Sequence, residues 1–559
     1  MKRKIVAAIC MLAMTVGMIA TLAGCGGDST EENKGTDGQQ ESQPKESGEK
    51  KYKDTIVYSF DATPTGDFLS VQSGSDYNTS VMDIVHGSLM ITDEAGNLED
   101  YFAKSHEVSE DGTVITFHLR DNGYFNDGEK VTADDVAFTF TYMCDPSDEA
   151  WGGQTTMIKG ADAYREGTAD SIEGIKVIDD KTIEFTLSQY YPKALSFIGE
   201  MGIVPEHIWK DIPYSEIENH RELLGENIVG CGPYHVTEFV EDQYVKLEAN
   251  DDFYMGEVAT KNFIFRVTNA DAITTELRTG NIDIAAVTNL LKAELDQLDN
   301  EGFDINYFPY DLVQCIIFND SETGKTPEAV RLALRYGMDV NGFIENYMEG
   351  RADAAPILIS SGSWAFPKDM KYPDADIDAA KKALEDGGYK DVNNDGFVED
   401  PDGNPYTFRL VYPTGLTCRE QFAVVLQEEA KKFGLNIELT GTDFPSLMSI
   451  MNDDTAYEAY LMGNGVDSAD PDLNTYGFIN SYKECPEAQE LIVKASTEQD
   501  QDKRSELYKE AAEYLVKAPT TRMSLYCQEK AYAYRDTLEN YAAGSFNNFY
   551  HVHEWKMAE

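Results

Sequence analysis

The chain has 559 residues, which is too long for one compact core, and its hydrophobic content of 42% is enough for two or three folded domains. Its formal charge of -54, from 100 acidic and 46 basic residues, argues against nucleic acid as a partner, because phosphate binding needs clustered Lys and Arg. After Ala20 no apolar run approaches the roughly 20 residues that a membrane-spanning helix needs.

The N-terminus has the order of charges and apolar residues that is typical of a secretory signal. Lys2-Arg3-Lys4 precede an apolar segment that runs from Ile5 to about Ala23. An uncleaved membrane helix is the alternative, but Leu22-Ala23-Gly24-Cys25 resembles the lipobox of bacterial lipoproteins. That resemblance implies a signal peptide over residues 1–24 and a lipidated Cys25. Two or more acyl chains would hold the protein at the extracellular face of the bacterial cell membrane, which it would contact through the Cys25 lipid only.

The segment from Cys25 to Lys50 is rich in Gly, Ser, Glu, Gln and Lys and has hardly an apolar residue. A segment of this composition cannot bury enough apolar surface to offset the entropy of ordering. Residues 25–50 are therefore predicted to be a disordered tether between the lipid and the folded body.

The first predicted elements are a strand from Asp54 to Phe60 and a helix from Asp76 to Leu89. Tyr77 and Asn78 lie where this helix begins, after the connection from the strand. Ligands in α/β proteins usually bind at such strand-to-helix connections. Both residues are therefore candidate solute contacts.

A hairpin and a helix follow in the run from Asp111 to Phe140. Val114 to Leu119 alternates as a strand, and Asn126-Asp127-Gly128 predicts a tight turn. Thr132, with Asp135 three residues later, is typical of a helix N-terminus. This run closely resembles the signature of family 5 of the solute-binding proteins of ABC importers, the peptide and nickel class that includes dipeptide- and oligopeptide-binding proteins.

Four later segments resemble further blocks of the same family, in the family's order. They are residues 232–254, 271–284, 327–339 and 378–389. The first of them follows Cys231, which stands where Thr or Ser is more usual in the family. The resemblance thus covers almost the whole chain beyond the tether.

The resemblance implies a two-lobed, periplasmic-binding-protein-like α/β fold (type II, cluster C) with two crossover hinges and an extra N-terminal subdomain. The residues themselves support only a mixture of strands and helices of the right size. On this chain the family's architecture places lobe I in residues 51–90, 200–305 and 515–559, an inserted subdomain (the insert) in residues 91–199, and lobe II in residues 306–514.

A second candidate for solute contacts is the acidic loop after a predicted strand that ends near Met462. Gly463-Asn464-Gly465 favours a loop, and Asp467, Asp470 and Asp472 follow with no Lys or Arg between Tyr457 and Tyr482. Such a loop favours a cationic guest. The alternative is that these acids cap a helix and face water.

The resemblance implies roles for single residues of this loop. In the family's peptide binders, an Asp at the position of Asp467 receives the α-ammonium group of the peptide, and Asp470-Pro471 matches the family's acid-Pro pair. Asn464, Gly465 and Val466 precede Asp467 and are included in the predicted site. Asn464 stands where peptide binders often carry Trp, which puts the side-chain pocket and the preferred peptide length in doubt.

Trp364 is a further candidate, because it follows Ser363 in a Gly/Ser-rich loop of the predicted lobe II. A buried core position is the alternative for this residue, as for most Trp.

Residues 391–402 satisfy most of a calcium-loop pattern. The predicted oxygen ligands come from the side chains of Asp391, Asn393, Asp395, Glu399 and Asp402 and from the backbone carbonyl of Phe397, with Gly396 at the sharp turn. An Asp at the last position reaches less far than Glu, so we expect modest affinity. The alternative is an Asn/Asp/Gly-rich turn that binds no metal. No cofactor is required, and a structural Ca²⁺ is the one metal that the pattern suggests.

Cysteine pairing stays open. Beyond Cys10 and Cys25, six cysteines remain, which allow 15 connectivities.

No motif predicts an enzyme, since there is no nucleophile elbow, zinc-protease motif or phosphate loop. With the family resemblance, we expect a monomeric extracellular lipoprotein that captures a small solute, a peptide first of all, and delivers it to the permease subunits of an ABC importer. The alternatives are another solute, such as an oligosaccharide, an opine or a nickel complex, and a surface receptor for signalling peptides. Capture would occur by closure of the lobes on the solute.

Overall fold

The computed structural model of the chain describes residues 50–72, 75–148, 151–466, 469–474 and 478–559. The signal peptide, Cys25 and the tether up to residue 49 lie outside these residues. Within the described ranges, no helix has both the length and the apolar character needed to cross a membrane.

Lobe I begins with a buried strand and a helix that carries the first candidate residues. The elements are β1 (Thr55–Phe60) and α1 (Asp76–Val85), and the hairpin of β2 (Met90–Thr92) and β3 (Leu98–Asp100) then leads into the insert. Helix α1 ends four residues before the predicted Leu89, because His86 takes an extended backbone with ψ 139°. The chain then passes so close to Cys231 that a side chain at Gly87 would lie 2.7 Å from the sulfur atom.

The insert is a four-stranded antiparallel sheet, in the order β4-β5-β7-β6, with helices around it. The predicted strand at 114–119 and the predicted start of the next helix at Thr132 are both confirmed, since the amide and the hydroxyl of Thr132 each donate to Asp135 at 2.8 Å. The elements are β4 (Ala103–Val108), β5 (Val114–Leu119), α2 (Ala133–Met143), α3 (Gly152–Thr155), α4 (Ala161–Arg165), β6 (Ile175–Asp179), β7 (Thr182–Thr186), α5 (Ala194–Glu200) and α6 (Glu206–Trp209).

The chain then returns to lobe I and completes its part of the main sheet. Strand β1 pairs in parallel with β10 on one side and with β11 on the other. The elements are β8 (Tyr234–Val240), β9 (Tyr244–Ala249), β10 (Asn262–Val267), α7 (Ile273–Thr279), β11 (Ile284–Ala286) and α8 (Lys292–Asn300).

Lobe I and the insert share one hydrophobic core. Ile56 and Phe263 of lobe I belong to the same buried cluster as Phe117 and Phe185 of the insert. Interiors packed in this way resist relative movement. The insert therefore moves with lobe I.

Lobe II begins after a long strand that crosses between the lobes, and it ends at a second strand of the same kind. The elements from there to the C-terminus are β12 (Phe303–Phe318), α9 (Glu328–Gly337), α10 (Val340–Asn346), β13 (Ala352–Ala354), α11 (Ile377–Asp386), β14 (Thr407–Pro413), α12 (Thr417–Ala430), β15 (Asn436–Thr442), α13 (Phe444–Met451), β16 (Ala459–Gly465), α14 (Pro486–Ala495), α15 (Gln501–Leu515), β17 (Arg522–Arg535), β18 (Leu538–Glu539) and β19 (Lys556–Met557).

One main sheet runs through both lobes, in the order β15-β14-β16-β12-β17-β11-β1-β10-β9-β8, with β13 paired to β17. Strands β12 and β17 lie in its middle, antiparallel to each other, and connect the two halves. The buried residues of lobe II form clusters separate from the core of lobe I. Two hydrophobic cores joined by two crossing strands are the arrangement expected of two lobes with a hinge.

Strand β17 crosses the predicted boundary between the lobes. Its first half, residues 522–528, pairs with the lobe II half of β12 and with β13, although the predicted division assigns residues 515–559 to lobe I. A crossing strand belongs to both lobes, so the boundary lies within the strand.

Strand β16 also differs from the prediction. It continues through Gly463, Asn464 and Gly465, which the sequence pattern placed in a loop, because these residues pair with β12. A Cβ atom at Gly463 would lie 2.3 Å from the Leu312 side chain. Glycine here allows close packing of neighbouring strands, not a turn.

Candidate functional site

A cavity of about 720 Å³ lies between lobe I, the insert and lobe II. Its volume is within the roughly 300–1,000 Å³ of typical small-molecule sites. Most of the wall comes from lobe I and the insert, and lobe II contributes the loop after β14. Its charged lining residues are the acids Asp61, Asp76, Asp83, Glu200 and Asp311 and the bases Lys193, Arg419 and Lys530.

Lobe II touches the insert at two places, which together are called the mouth of the cleft. The side-chain amide of Gln499, between α14 and α15 of lobe II, donates to the backbone oxygen of Asp111 in the insert at 3.0 Å. At a second place, Gly96 of the insert packs against Ala469 of lobe II. The structure is therefore a closed arrangement of the lobes around the cavity.

Of the two candidates in the first turn of α1, Tyr77 lines the cavity and Asn78 does not. The Tyr77 hydroxyl donates to Asp61 at 2.7 Å. Asn78 is 2% exposed, and its side chain exchanges hydrogen bonds with the backbone and hydroxyl of Thr65 at 2.9 and 2.8 Å. Asn78 thus fixes the connection between β1 and α1.

The predicted recognition segment at the end of β16 reaches the hinge. The Asn464 side chain accepts a hydrogen bond from Arg522, and the Val466 amide donates to the backbone oxygen of Asp311 at 2.7 Å. Asn464, Gly465 and Val466 are not among the described residues that line the cavity. Asp467 lies outside the described residues, so its predicted contact with an ammonium group stays a prediction.

The acid-Pro pair that follows is held by a buried arginine. Arg504 of α15 is 1% exposed and binds both carboxylate oxygens of Asp470, at 2.5 and 3.1 Å. It also donates to the Pro471 carbonyl oxygen at 2.9 Å, which accepts a second bond from the Tyr508 hydroxyl at 2.9 Å. A bidentate guanidinium fixes both the position and the orientation of a carboxylate. Arg504 therefore fixes this loop.

Trp364 belongs to the same cluster and does not line the cavity. It is half-buried, and the Arg504 guanidinium lies 5.0 Å from the centre of its ring. The hydroxyl of the adjacent Ser363 donates to the Ala469 backbone oxygen at 2.5 Å. In this closed arrangement, Trp364 therefore supports the loop at residues 469–472.

Lobe II presents one cation to the cavity. Arg419, in the first turn of α12, is 8% exposed and donates to the Gln314 side chain at 3.0 Å and to the Pro413 backbone oxygen at 3.3 Å. Burial lowers the pKa of Arg419 from its ordinary value, but a guanidinium in a protein stays protonated at neutral pH. Among the described residues no carboxylate forms an ion pair with Arg419.

Lobe I presents two acids without partners to the same cavity. The carboxyl groups of Asp76 and Asp83, both on α1, form no hydrogen bond or ion pair with the described residues. Asp83 is exposed to the cavity, but desolvation by the surrounding protein, together with the like charges of Glu200 and Asp76, raises its pKa to about 7. The two lobes therefore present groups of opposite sign to the cavity, and none of these three groups forms an ion pair with a described residue.

The hinge adds a paired charge to the cavity floor. Asp311 of β12 and Lys530 of β17 form an ion pair with an N–O distance of 3.4 Å, and the Lys530 ammonium lies 4.2 Å from the centre of the Tyr310 ring. All three residues line the cavity.

The predicted calcium loop is organised by its own side chains. Asp391 accepts from the Gly396 amide at 3.0 Å, Asn393 from the Asp395 amide at 2.7 Å, and Asp395 from the Phe397 amide at 2.9 Å. Each of these side chains therefore already uses one oxygen within the loop.

The last two predicted ligands of this loop lie apart from each other. Glu399 is 4% exposed and accepts from the Val392 amide and the Asn393 side chain, at 2.8 and 2.6 Å. Asp402 belongs to the next turn, in which the Asp400 carboxylate accepts from its amide at 2.9 Å. Across the described ranges, no three or more His, Cys, Asp or Glu residues form a group that could hold a metal ion.

Six cysteines lie in the part of the chain that the structure describes, and all are buried and unpaired. Burial raises the pKa of the Cys231 thiol to about 12 and that of the Cys418 thiol to about 11. Their role here is apolar packing.

Sequence reasoning missed the basic residues of the cavity. Arg419 follows the strand Thr407–Pro413 and a glycine with φ +102°, which is the strand-loop-helix pattern that drew attention to the acidic loop. The same pattern could have identified Arg419. Lys530 lies within a strand, and no local signal distinguishes it from other lysines.

Comparison with known proteins places the chain among transport receptors. The model of the family described as bacterial extracellular solute-binding proteins, family 5 Middle, matches residues 97–484. The oligopeptide-binding protein AppA of Bacillus subtilis is 26% identical over 575 residues, which cover 99% of this chain and 99% of AppA. The dipeptide-binding protein of Escherichia coli is 24% identical over 488 residues, or 82% of this chain and 86% of that protein.

Solved structures show the same fold. The structure of AppA from Bacillus subtilis in complex with a nonapeptide has a TM-score of 0.76 and 24% identity, and covers 90% of this chain and 99% of that one. The structure of NikZ from Campylobacter jejuni in complex with Ni(L-His) has a TM-score of 0.74 at 24% identity, with coverage of 90% and 99%. The predicted two-lobed α/β fold is confirmed.

We expect Asp83→Asn to raise the stability of the solute-free protein at pH 8 by about 1 kcal/mol and to change it little near pH 4. The folded state raises the pKa of Asp83, so it binds the proton more tightly than the unfolded state, and stability falls as pH rises towards about 7. The figure is discounted because the carboxyl group is open to water in the cavity. Thermal unfolding at the two pH values measures the effect, with the exposed Asp299→Asn as a control. Equal shifts for both variants at pH 8 would contradict this assignment.

Proposed function

Because the chain belongs to family 5 of the bacterial extracellular solute-binding proteins, we propose that it captures a peptide between its two lobes and delivers it to the permease subunits of an ABC importer. The peptide assignment is supported by the relatives named for oligopeptide and dipeptide binding, one of which matches this chain over 99% of its length. The protein would act as a monomer and carry out no reaction on its solute.

The observation that carries the peptide proposal is the opposite charge of the two cavity walls. Arg419 on lobe II has only neutral hydrogen-bond acceptors, whereas Asp76 and Asp83 on lobe I have no partners among the described residues. The Arg419 guanidinium is buried, and a buried charge is costly unless it is paired, while Asp76 and Asp83 are exposed to the cavity, where a cation can reach them. A solute with an ammonium group and a carboxylate would supply both missing partners, and a peptide has both at its ends.

Closure follows from this arrangement. A solute that contacts Arg419 and the acids of lobe I touches both lobes only when they are closed, and a ligand shifts an equilibrium only by its differential affinity for the two states. The contact between Gln499 and Asp111 at the mouth then adds to the closed form. The predicted contact of Asp467 with an ammonium group would act in the same direction.

For the region before residue 50, we propose a signal peptide and a lipid anchor at Cys25. The support is the order of charges and apolar residues in the sequence and the Leu-Ala-Gly-Cys segment that ends at Cys25. An anchored receptor stays near the importer at the extracellular face of the cell membrane.

Calcium binding by residues 391–402 is the remaining proposal. Its support is the spacing of oxygen-bearing residues and the left-handed backbone of Gly396, with φ +98°, at the sharp turn of the loop. The Asp391 oxygen that does not accept from the Gly396 amide would be the first ligand, together with the Asp395 oxygen that now accepts from the Asn393 side chain.

The peptide proposal is tested with one variant for each end of the peptide: Arg419→Gln for the carboxylate and Asp467→Asn for the ammonium group. Native mass spectrometry of the purified protein identifies the retained solute by its mass, which separates a peptide from an opine, an oligosaccharide or a nickel complex. If it is a peptide, we expect Arg419→Gln to weaken binding of the free peptide by about ten-fold, since one charged hydrogen bond is worth about 1.5–3 kcal/mol. Binding of the C-amidated peptide, which has no terminal carboxylate, should not change.

Asp467→Asn should weaken binding of the free peptide in the same way, but it should not change binding of the N-acetylated peptide, which has no terminal ammonium group. Calorimetric titration of the three peptide forms against both variants gives the comparison. Binding of the modified form at wild-type strength also shows that the variant is folded. If each variant weakened all three forms equally, neither residue would bind a peptide end.

For the lipid anchor, we expect Cys25→Ser to abolish incorporation of labelled palmitate and to release to the medium those molecules from which residues 1–24 have been removed, because an unacylated tether has no apolar segment to hold them. Fractionation of expressing cells followed by immunodetection measures the distribution. Cys144→Ser, which alters a buried thiol in the folded body, is the matched control and should leave the protein in the membrane fraction. Incorporation of labelled palmitate into Cys25→Ser at the level of the wild type would refute lipidation at this residue.

For calcium, we expect added Ca²⁺ to raise the melting temperature by about 2 °C, as a weak site near ten-fold saturation would do. Asp391→Asn and Asp395→Asn should abolish this increase, while the nearby exposed Asp374→Asn should retain it. Differential scanning calorimetry with Ca²⁺ and with a chelator makes the measurement. An increase that persists in Asp395→Asn would place the ion elsewhere, and no increase in the wild type would end the proposal.

A further inference from the structure

The hinge between the lobes is the longer of two irregularities in the pairing of the two crossing strands, the other of which lies between Gln314 and Cys315. Strands β12 and β17 pair regularly up to Pro309 opposite Glu529, and pairing resumes at Val313 opposite Cys527. Three residues of β12 therefore face only Gln528 of β17. A bulge of this kind interrupts the ladder and bends the strand.

The backbone of this bulge is anchored to lobe II. The Asp311 carbonyl oxygen accepts from the Val466 amide at 2.7 Å. The Tyr310 carbonyl oxygen accepts from the Ser360 hydroxyl at 2.8 Å and from the Cys527 thiol at 2.9 Å. Tyr310 and Asp311 therefore move with lobe II when the lobes separate.

Lys530 lies on the other side of the break. It pairs with Phe308 in the half of β17 that continues into lobe I, where β17 also pairs with β11. Its side chain is 13% exposed, against 37% for Asp311, and their ion pair spans the break. The Tyr310 ring, 4.2 Å from the ammonium, covers it from the lobe II side.

A second carboxylate acts on the same ammonium from lobe I. Asp76, at the start of α1, lines the cavity with Asp311 and Lys530. Although burial alone lowers the pKa of Lys530, neighbouring groups raise it above its ordinary value: Asp311 most, then Tyr532 and Tyr310, and then Asp76. Of the cavity's other bases, Lys193 belongs to the insert and Arg419 to α12 of lobe II.

We propose that Lys530 is the positioning residue for closure, which stabilises the closed lobes by compensating two carboxylates, Asp76 of lobe I and Asp311 of the lobe II bulge. Closing brings these like charges towards each other across the cavity floor, and their repulsion opposes closure. Lys530 stands at the hinge and offsets this repulsion. The role rests on the proposed capture by closure, and Lys530 needs no contact with the solute to perform it.

The inference predicts a specific pattern of rescue. Lys530→Met leaves both carboxylates uncompensated and should disfavour the closed state. Adding Asp311→Asn removes one of the two charges and with it the repulsion, so the double variant should close again. Lys530→Arg keeps the charge and should close like the wild type. Loss of packing at residue 530 would not be repaired by Asp311→Asn.

Closure is measured without solute by the rate of cross-linking across the mouth. Glu110→Cys and Glu498→Cys flank the contact of Asp111 with Gln499 and leave both of those residues in place. A short bis-maleimide joins the two introduced thiols only when the mouth is closed, and the six native thiols of the described chain are buried. The rate can be compared between variants even when the closed state is a small fraction of the molecules.

We expect Lys530→Met to slow cross-linking by about ten-fold and the double variant with Asp311→Asn to recover to within about two-fold of the wild type. Lys53→Met, which breaks the ion pair of Lys53 with Asp283 in lobe I, is the matched control and should leave the rate unchanged. An unchanged rate in Lys530→Met, or a double variant as slow as the single one, would overturn the proposal. Since no solute is present, either result is independent of whether the protein binds peptides.

Discussion

The structure depends on the hydrogen-bonded ladder between two long strands, β12 and β17, and on the place where that ladder is interrupted. Regular pairing holds each strand rigidly within one half of the main sheet. Between Pro309 and Val313 the backbone bonds are made to lobe II elements instead, so this is where the sheet has the least resistance to bending. With separate cores on either side, the lobes can rotate about the break without disturbing their own packing.

Lobe I and the insert share one hydrophobic core, and this sharing determines how far the insert moves when the hinge bends. Because the insert is packed into lobe I, a small rotation at the break becomes a large displacement at the mouth, where the insert meets Gln499 and Ala469. The insert also forms much of the cavity wall. It therefore serves as an extension of lobe I that encloses the solute from the far side.

The charges of the cavity explain how the lobes can be closed while some charged groups still lack the ion-pair partners that a solute would supply. Arg504 and Asp470 satisfy each other in the support of lobe II, and Lys530 and Asp311 do so at the hinge. Arg419 and the acids of α1 form no ion pair with the described residues, which is unfavourable for Arg419 because its guanidinium is buried. Charges that support the walls are thus paired within the protein, and charges that face the solute await partners of opposite sign.

The sequence determined the class of fold and much of its local structure. The strand at 114–119 and the helix start at Thr132 follow from alternation and capping, which act between residues close in the chain. Five blocks in family order indicated the two lobes, and the acidic loop after residue 463 was identified as a region of interest. The limits of the strands were less predictable: Gly463 to Gly465 looked like a loop because the partner strand, 150 residues earlier in the chain, is not visible in the local pattern.

The roles of individual residues at the site were decided by the tertiary structure. Asn78 and Trp364 support loops, while Arg419 and Lys530, which no motif marked, face the cavity. The spacing of residues along the chain fixes hydrogen bonds within turns and helices, but it does not tell which charges from distant segments will meet. Only the packed sheet brought Asp311 and Lys530, more than 200 residues apart, to the same break in one ladder, and the pairing or isolation of each charge follows from that packing.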